Sequence, residues 1–584
     1  MAHLDDLVAA LERERRALRD EHARLRALSL PDRVAAGFTW APLEIVDTEY
    51  RSKGRVNVLL RGRDLHDGIG PGDPVVLAPA GRPDDGILGR VEGVDGGTVE
   101  LRIEGTPEGR GPWAVSRRLD FTVMDLQIDA LRRAELKRTP LKDLLLGYEK
   151  PYRPDPLDHP SLAGLDPSQR EAAALALGAT EIGLVHGPPG TGKTEVLVAI
   201  LAALKDLGEK PWALADSNAA VDHLAVRAAA RGLDVVRIGV SARVGGEARA
   251  LTLEHRILHG PRAKVIEALQ KQISRAPDDG ELRAALREEW SQAKREILEN
   301  ADVLAMTLGT LHTRGKDYAP PRTAVVDEAS QIVEPALWLL ASKVKRILLA
   351  GDPLQLGPVV KSRDPVLERT LLQRLVDEGF LFPMLTNQRR MNAEIMRLAQ
   401  HTYGGRLTAS PDVLLRRLAD LPGVTGGTWT APPARWLDTA GMGLDEEQDA
   451  LGSWFNPGEV RLVQRVWKAL EESGVRPAMV GVIAPYSAQV ARLRAALPET
   501  IEVGTVNAFQ GREKDVIVAS FVRSNAEGEL GFVSDPRRLN VAVTRARRLF
   551  VGVGDSATLG RSPAFARLLE SVGDGYVSAW ELEG

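Results

Sequence analysis

The stretch IGLVHGPPGTGKTEVLVAIL, residues 182–201, decides the fold. Its first four residues form a short apolar run that reads as a buried strand. Val196, Leu197, Ile200, Leu201 and Leu204 then recur at helical spacing until Gly208 ends the pattern. Between the two, Gly187 to Thr194 match G-x-x-x-x-G-K-[ST] at every defined position. Strand, loop and helix in that order make a phosphate cradle. Gly187, Gly190 and Gly192, with Pro188, Pro189 and Thr191 among them, permit a tight loop whose backbone N–H groups point inward at phosphate oxygens, and the start of the helix adds its positive dipole end. Lys193 is placed to reach the β and γ phosphates, and the Thr194 hydroxyl to help hold Mg²⁺. A glycine-rich turn with a chance lysine would need neither the strand nor the helix.

Downstream, TAVVDEASQ (323–331) supplies a second apolar strand that delivers Asp327 and Glu328 to its carboxyl end, where open parallel sheets bind ligands. Asp327 is the expected Mg²⁺ ligand, and Glu328 can take a proton from the attacking water. A third strand, in RILLAGDPLQLGP (346–358), leads to Gln355, an uncharged group suited to sensing a γ phosphate. Upstream, LDPSQREAAALAL places Gln169 just ahead of the cradle strand, with an amide that matches the donor and acceptor edge of adenine. After the cradle, PWALADSNAAVDHLAVRA reads as strand, polar turn and helix; Ser217 and Asn218 at the turn either bond a phosphodiester backbone or cap the helix.

The C-terminal portion repeats this architecture without a cradle. MVGVIAP, IEVGTVNAF, DVIVASF and LFVGVG are its strands, and GEVRLVQRVWKALEESG is a helix between them. It contributes arginines instead, Arg390 in LTNQRRMN and Arg545 and Arg547 in LNVAVTRARR. One α/β unit with a cradle and a second with cations predict a shared cleft, in which Arg390 and Arg545 act as fingers on the γ phosphate.

At 584 residues the chain is expected to divide into about four units of roughly 150 residues. At the front, Leu4, Leu11, Leu18 and Leu25 are seven residues apart, which marks one amphipathic helix with a seam for a single partner. The stretch from Met124 to Leu146 reads as that partner, running back antiparallel. Between them LEIVDTE, RVNVLLRG, DPVVLAP, GILGRVEG and TVELRIEG alternate and turn like the strands of a small antiparallel barrel. Residues 244–300 interrupt the first α/β unit with charged helical sequence. The expected division is therefore 1–30 and 123–150 as a two-helix stalk, 31–122 as the barrel, 151–243 with 301–377 as the first lobe, 244–300 as a helical insertion and 378–584 as the second lobe.

Composition narrows the chemistry. With no cysteine, disulfides, thiolate zinc sites and iron–sulfur clusters are excluded. The charged N-terminus offers no secretory segment and no apolar run reads as a membrane span, so a cytoplasmic protein without membrane contact is expected. The net charge is -4, so a polyanionic partner has to be met by a local basic groove.

Taken together, HGPPGTGKT, VVDEASQ, LAGDPLQLGPVV, TVNAFQGREKDVIVASFVRSN and GFVSDPRRLNVAVTRARR resemble, in identity and order, the motifs of superfamily 1 helicases over about residues 160–560. The similarity is to the 1B group that contains the nonsense-mediated-decay helicase and the immunoglobulin-mu-binding helicase. It implies two RecA-like lobes, ATP and Mg²⁺ in the cleft between them, and 5′-to-3′ movement of a monomer along single-stranded DNA or RNA, including duplexes with a single-stranded tail. It also implies Gln169 as the adenine reader, Lys193 and Thr194 on phosphate and Mg²⁺, Asp327 and Glu328 on Mg²⁺ and water, and Gln355 as γ-phosphate sensor. Arg390 and Arg545 become the fingers, and Glu513 lies near the ribose. For the strand groove it suggests Ser217 and Asn218, Thr307 and Gly309, Pro485 and Tyr486, and Thr505. The chain departs from the family at Arg389, where a tyrosine usually stacks on adenine; a guanidinium also stacks on a π face. The same motifs suit a nucleic-acid-gated clamp or remodeller that does not unwind duplexes. An unrelated kinase or GTPase is disfavoured by the arginine-bearing second unit.

Overall fold

Strands that are apolar along their whole length are buried on both faces, which requires helices on each side of a parallel sheet. The computed structural model, which describes residues 2–50, 55–63, 65–66, 68–109, 111–241, 244–276, 279–450 and 452–582, contains two such sheets. In the first, six parallel strands run in the order Ile182–His186, Arg346–Gly351, Thr323–Val326, Trp212–Ala215, Val303–Thr307, Val235–Ile238. The strand that leads to Gln355 therefore lies between the cradle strand and the strand that carries Asp327 and Glu328. In the second sheet the order is Glu502–Thr505, Val480–Ala484, Lys514–Ser520, Ala546–Gly554, Ala434–Asp438, Tyr576–Ser578, again all parallel. Two of its strands do not stand out in the sequence: Ala434–Asp438 carries Arg435 within its apolar run, and Tyr576–Ser578 is only three residues long.

The front of the chain is a closed barrel of six antiparallel strands, one more than the alternating segments suggest. The sixth, Trp113–Arg117, pairs with both Thr39–Tyr50 and Pro74–Pro79 and closes the ring. Trp40, Val58, Leu60, Val75, Leu77, Val99 and Leu101 fill it.

The stalk corrects one expectation. Met124 to Leu146 is not a single helix: Thr122–Arg132 stops, and Thr139 caps a second helix, Pro140–Leu145, through its hydroxyl and the Lys142 N–H. Pro140 has no N–H to continue a helix, and an interior proline costs about 3 kcal/mol. The first stalk helix, Ala2–Ala27, buries Leu4, Leu7 and Leu11 against Ile128, Leu131 and Leu141 and into the core under the first sheet. Each such leucine contributes about 1.5–3 kcal/mol. The polar side of the same helix grips the segment after Gln355. Glu14 accepts the backbone N–H groups of Lys361 (2.9 Å) and Ser362 (2.7 Å), and Arg13 pairs with Asp364. His3 Nε2 lies 2.8 Å from Glu334, whose buried carboxylate pairs with Arg374, and Arg374 also donates to the Leu145 carbonyl at 3.0 Å. The charged stretch after residue 244 forms helices Leu253–His259, Ala263–Arg275 and Gly280–Asn300.

The passage between lobes runs later than residue 377. Phe380 still packs in the first core, and Leu385 N donates to the His186 carbonyl. Among the described residues no helix is long and apolar enough to cross a membrane.

Candidate functional site

Because all strands of a sheet point one way, the loops at their carboxyl ends share an edge, and the first lobe brings its chemical residues there; in the second lobe Glu513 and Arg545 immediately precede strands Lys514–Ser520 and Ala546–Gly554 and so stand at the amino ends of that sheet. In the cradle, glycine is needed where other atoms come close. A Cβ on Gly187 would lie 2.7 Å from Lys193 Cβ, because the lysine stem folds over that residue. Gly190 has φ +74°, and a Cβ there would lie 2.6 Å from Arg390 Cβ. The cradle thus already touches the second half of the chain, and Arg389 N donates to the Gly190 carbonyl at 2.8 Å. Pro188, Pro189 and Thr191 are buried, the Thr191 hydroxyl donating to the Pro188 carbonyl at 2.7 Å; Thr194 sits in the first turn of helix Lys193–Asp206.

Lys193 Nζ lies 2.6 Å from Glu328 Oε1 and 3.1 Å from Asp327 Oδ1. Burial alone would depress its pKa, but the two carboxylates outweigh that and hold it above the ordinary lysine value. Burial raises Asp327, while Glu328, against the pull of burial, is kept ionised by Lys193. Glu328 is held in a left-handed backbone conformation, φ +54°, which is uncommon outside glycine. Its N–H bonds Asp327 Oδ1 at 2.8 Å, and its second oxygen accepts from Gln331 Nε2 at 2.8 Å. The carboxylate is thereby aimed at Lys193.

Gln355 Nε2 donates to Asp352 Oδ2 at 2.8 Å, and its Oε1 accepts from Arg545 Nη2 of the second lobe at 3.0 Å. Arg545 is almost fully enclosed. Burial, with Arg390 close by, pulls its pKa down to about 9. Arg390 pairs with Glu513 and donates to the Thr544 carbonyl at 3.0 Å. Glu513, also bonded by Arg547 Nε at 3.0 Å, is carried to a pKa of about 2 by the two arginines despite its burial. The structure therefore brings Lys193, Glu328 and Gln355 of one lobe to the same cleft as Arg390, Arg545 and Glu513 of the other.

Gln169 is placed differently from a free adenine reader. Its Oε1 accepts the Asp166 N–H at 3.1 Å and its Nε2 donates to the Thr191 carbonyl at 2.9 Å, so the amide braces the cradle in this conformation. Arg389 is exposed, 3.5 Å from Asp166, on the rim of the same region.

The expected groove residues stand along the rest of the carboxyl edge in the first lobe and, in the second, at the carboxyl ends of Val480–Ala484 and Glu502–Thr505, the edge opposite Glu513 and Arg545. Ala215 and Thr307 are register partners on adjacent strands, which sets Ser217 and Asn218 beside Thr307 and Gly309. Ser217 caps its helix, accepting Ala220 N at 3.2 Å, and Thr307 does the same for Thr310 N at 3.1 Å. Asn218 Oδ1 is held by the buried Arg237 at 2.8 Å. In the second lobe Ala484 and Thr505 are likewise partners, so Pro485 adjoins Thr505. Tyr486 departs from the expectation of an open stacking face: it is 6% exposed and packs on Phe532 with ring centroids 4.5 Å apart.

Sequence reasoning passed over Asp352, His186 and Tyr403. Asp352 stands three residues before Gln355 in the quoted GDPLQ and His186 opens the quoted HGPPGTGKT, the two available signals; nothing marks Tyr403.

A cradle with its lysine and paired carboxylates on one parallel sheet, faced by arginines from a second, defines a two-lobed P-loop nucleoside triphosphatase fold. Two family profiles, each described as an AAA domain, match residues 164–281 with 267–363 and residues 367–557. DNA-binding protein SMUBP-2 of Rattus norvegicus is 38% identical over 439 residues, 69% of this chain and 44% of that protein. The regulator of nonsense transcripts 1 homolog of Arabidopsis thaliana is 34% identical over 435 residues, 70% and 34% of the two chains. DNA polymerase alpha-associated DNA helicase A of Saccharomyces cerevisiae is 30% identical over 517 residues, 77% of this chain and 73% of that one. The chain belongs to the superfamily 1B helicases, in the branch that holds these relatives. It spans less than half the length of the first two. Among solved structures, that of arterivirus nonstructural protein 10 (helicase) aligns over 93% of this chain and 82% of its own at a TM-score of 0.40 and 14% identity, a likeness too distant to carry weight.

Proposed function

We propose that the protein is an ATP-driven helicase or translocase on single-stranded DNA or RNA, hydrolysing ATP between its two lobes. The observation that carries this reading is the convergence of Lys193 and Glu328 with Arg390 and Arg545 on one cleft. Lys193 pairs with Asp327 and Glu328; a triphosphate supplies competing negative charge and draws the ammonium onto the phosphates, leaving Glu328 free to accept a proton from water. The donor set of Thr194 and Asp327 beside the cradle suits Mg²⁺, which takes few protein ligands and the phosphate oxygens themselves. When bound, Mg²⁺ offsets the charge that develops on the transferring phosphoryl group. Arg545 brings a cation to the γ-phosphate side through Gln355, and Arg390 does so at the rim of the cradle. Because fingers and cradle lie on different lobes, turnover requires closure, and each closure shifts one strand-gripping edge relative to the other. Ser217, Asn218, Thr307 and Thr505, with Pro485 beside them, are the residues at these edges suited to sugar and phosphate contact, which favours sequence-tolerant binding. Both halves of the cleft come from one chain, which supports action as a monomer. The 5′-to-3′ sense rests on family likeness alone.

The test is steady-state ATP hydrolysis with and without single-stranded oligonucleotides of DNA and RNA, followed by strand displacement on duplexes with a 5′ or a 3′ tail. Stimulated hydrolysis and displacement from the 5′ tail are expected. Stimulation without displacement from either tail would leave the clamp reading in its place, and hydrolysis indifferent to nucleic acid would overturn both.

A further inference from the structure

We propose that Tyr403 is a positioning residue for hydrolysis: its hydroxyl ties the second lobe to Asp352 of the first and so holds Gln355 in register with Arg545. This rests on the reading of Gln355 and Arg545 given above, and it adds Tyr403, which lies outside every motif quoted for the cleft.

Asp352 is a fully buried carboxylate with four donors. His186 Nε2, at the end of the cradle strand, lies 3.0 Å from Oδ1, which also accepts Leu354 N at 3.1 Å. Gln355 Nε2 (2.8 Å) and the Tyr403 hydroxyl (2.7 Å) both donate to Oδ2. Three of the four donors belong to the first lobe. The fourth sits at the end of a helical run, Ala393–Ala399 continued by Gln400–Tyr403, whose first part packs in the core of the second lobe. Tyr403 is in turn held from behind, its oxygen accepting Asn540 Nδ2 at 2.8 Å, and the same amide donates to the Leu354 carbonyl at 2.8 Å. Asn540 lies on helix Pro536–Val543, which leads directly to Arg545. Burial raises the phenol pKa well above its ordinary value, so the hydroxyl keeps its proton.

The polarity of Gln355 follows from this arrangement. An amide presents a donor end and an acceptor end, and Asp352 can only accept, so it fixes the NH₂ group inward and leaves Oε1 toward Arg545, which can only donate. A buried carboxylate stripped of a donor seeks a replacement. When the lobes part, Asp352 loses Tyr403 and holds Gln355 with less constraint; when they meet, the pair Tyr403–Asp352 and the pair Gln355–Arg545 form together. The position of the second lobe is thereby reported to the residue that senses the γ phosphate.

The experiment is Tyr403→Phe in the full chain, which keeps the ring against Met384 and Leu407 and removes only the hydroxyl. Hydrolysis is measured against ATP at saturating oligothymidylate. A kcat lowered roughly tenfold, the size of one hydrogen bond to a charged group, is expected, with KM for ATP within about twofold. Oligothymidylate affinity without nucleotide should be unchanged. On a Gln355→Ala background Tyr403→Phe should cost nothing more. Asn540→Ser provides the second variant and should show the same selective fall in kcat; should Tyr403→Phe not fold, these readouts on Asn540→Ser decide. Unchanged kcat, or a loss that is equal with and without Gln355, would overturn the proposal while leaving the cleft reading intact. If Gln355→Ala alone hydrolyses ATP at the parent rate, the cleft reading itself falls.

Discussion

Replacing Glu328 with glutamine separates the two things this side chain does, bonding its neighbours and accepting a proton. The first is largely conserved by shape: the glutamine oxygen can still accept from Lys193, now 2.6 Å away, and Gln331 can turn its own amide to accept where it now donates at 2.8 Å. The backbone bond from residue 328 to Asp327 Oδ1, 2.8 Å, does not involve the side chain, and Lys193 keeps Asp327 at 3.1 Å. Fold and ATP binding therefore persist. The second role is lost, and a positioned general base is worth about 10² to 10⁴ in rate, or roughly 3 to 5.5 kcal/mol. The expected result is a kcat reduced at least 100-fold by phosphate release at saturating oligonucleotide, with ATP affinity within about threefold by equilibrium titration of a fluorescent analogue. Hydrolysis within threefold of the parent would remove Glu328 as the base. An affinity loss of tenfold or more would show instead that its charge organises the cradle.

Gly190→Ala strains a left-handed position and drives a methyl group to within 2.6 Å of Arg390 Cβ, so it should lower both stability, by about 1–3 kcal/mol in urea titration, and kcat, because the lobes can no longer meet. Glu459, fully buried with Ser520 Oγ at 2.6 Å and Val522 N at 3.0 Å, has its pKa pushed up to about 8 by burial. Its folded value exceeds its unfolded value, so its contribution to stability is complete in acid and is lost as pH rises through 8. Glu459→Gln has no proton to lose, and its Tm relative to the parent should climb between about pH 4.5 and 8 and level off above that in scanning calorimetry; parallel curves would mean that Glu459 is already ionised. Oligonucleotide affinity should fall with salt at a logarithmic slope near −0.7 for each phosphate neutralised by a lysine or arginine, and a flat dependence would argue against a basic groove for the strand.

Both sheets were legible because their strands carry a pattern that only two-sided burial explains, and because the cradle motif fixes where one of them begins. Lys193, Glu328 and Arg545 were legible for the related reason that glycine spacing, an acidic pair after a strand and a basic run in a cradle-less unit each announce a chemistry. The broken second stalk helix was not, although Thr139-Pro140 is a capping signal; its leucine spacing carried on across the break and concealed it. Tyr403 was invisible because a lone tyrosine in a polar stretch is defined only by what it touches, and its partner Asp352 is 51 residues away. The enclosure of Tyr486 is the converse case, where a residue at the expected strand end turns inward because Phe532 and Arg523 offer it better company than solvent.

The clasp of Glu14 on the amides of Lys361 and Ser362 has a practical consequence for anyone trimming the gene. A fragment begun at the cradle domain would look complete on paper, yet it would lack the leucines that roof part of its core and the acceptor for two backbone hydrogens just behind Gln355. Such a fragment should aggregate readily, and supplying residues 1–150 as a separate polypeptide should restore its solubility, as a missing keystone does an arch.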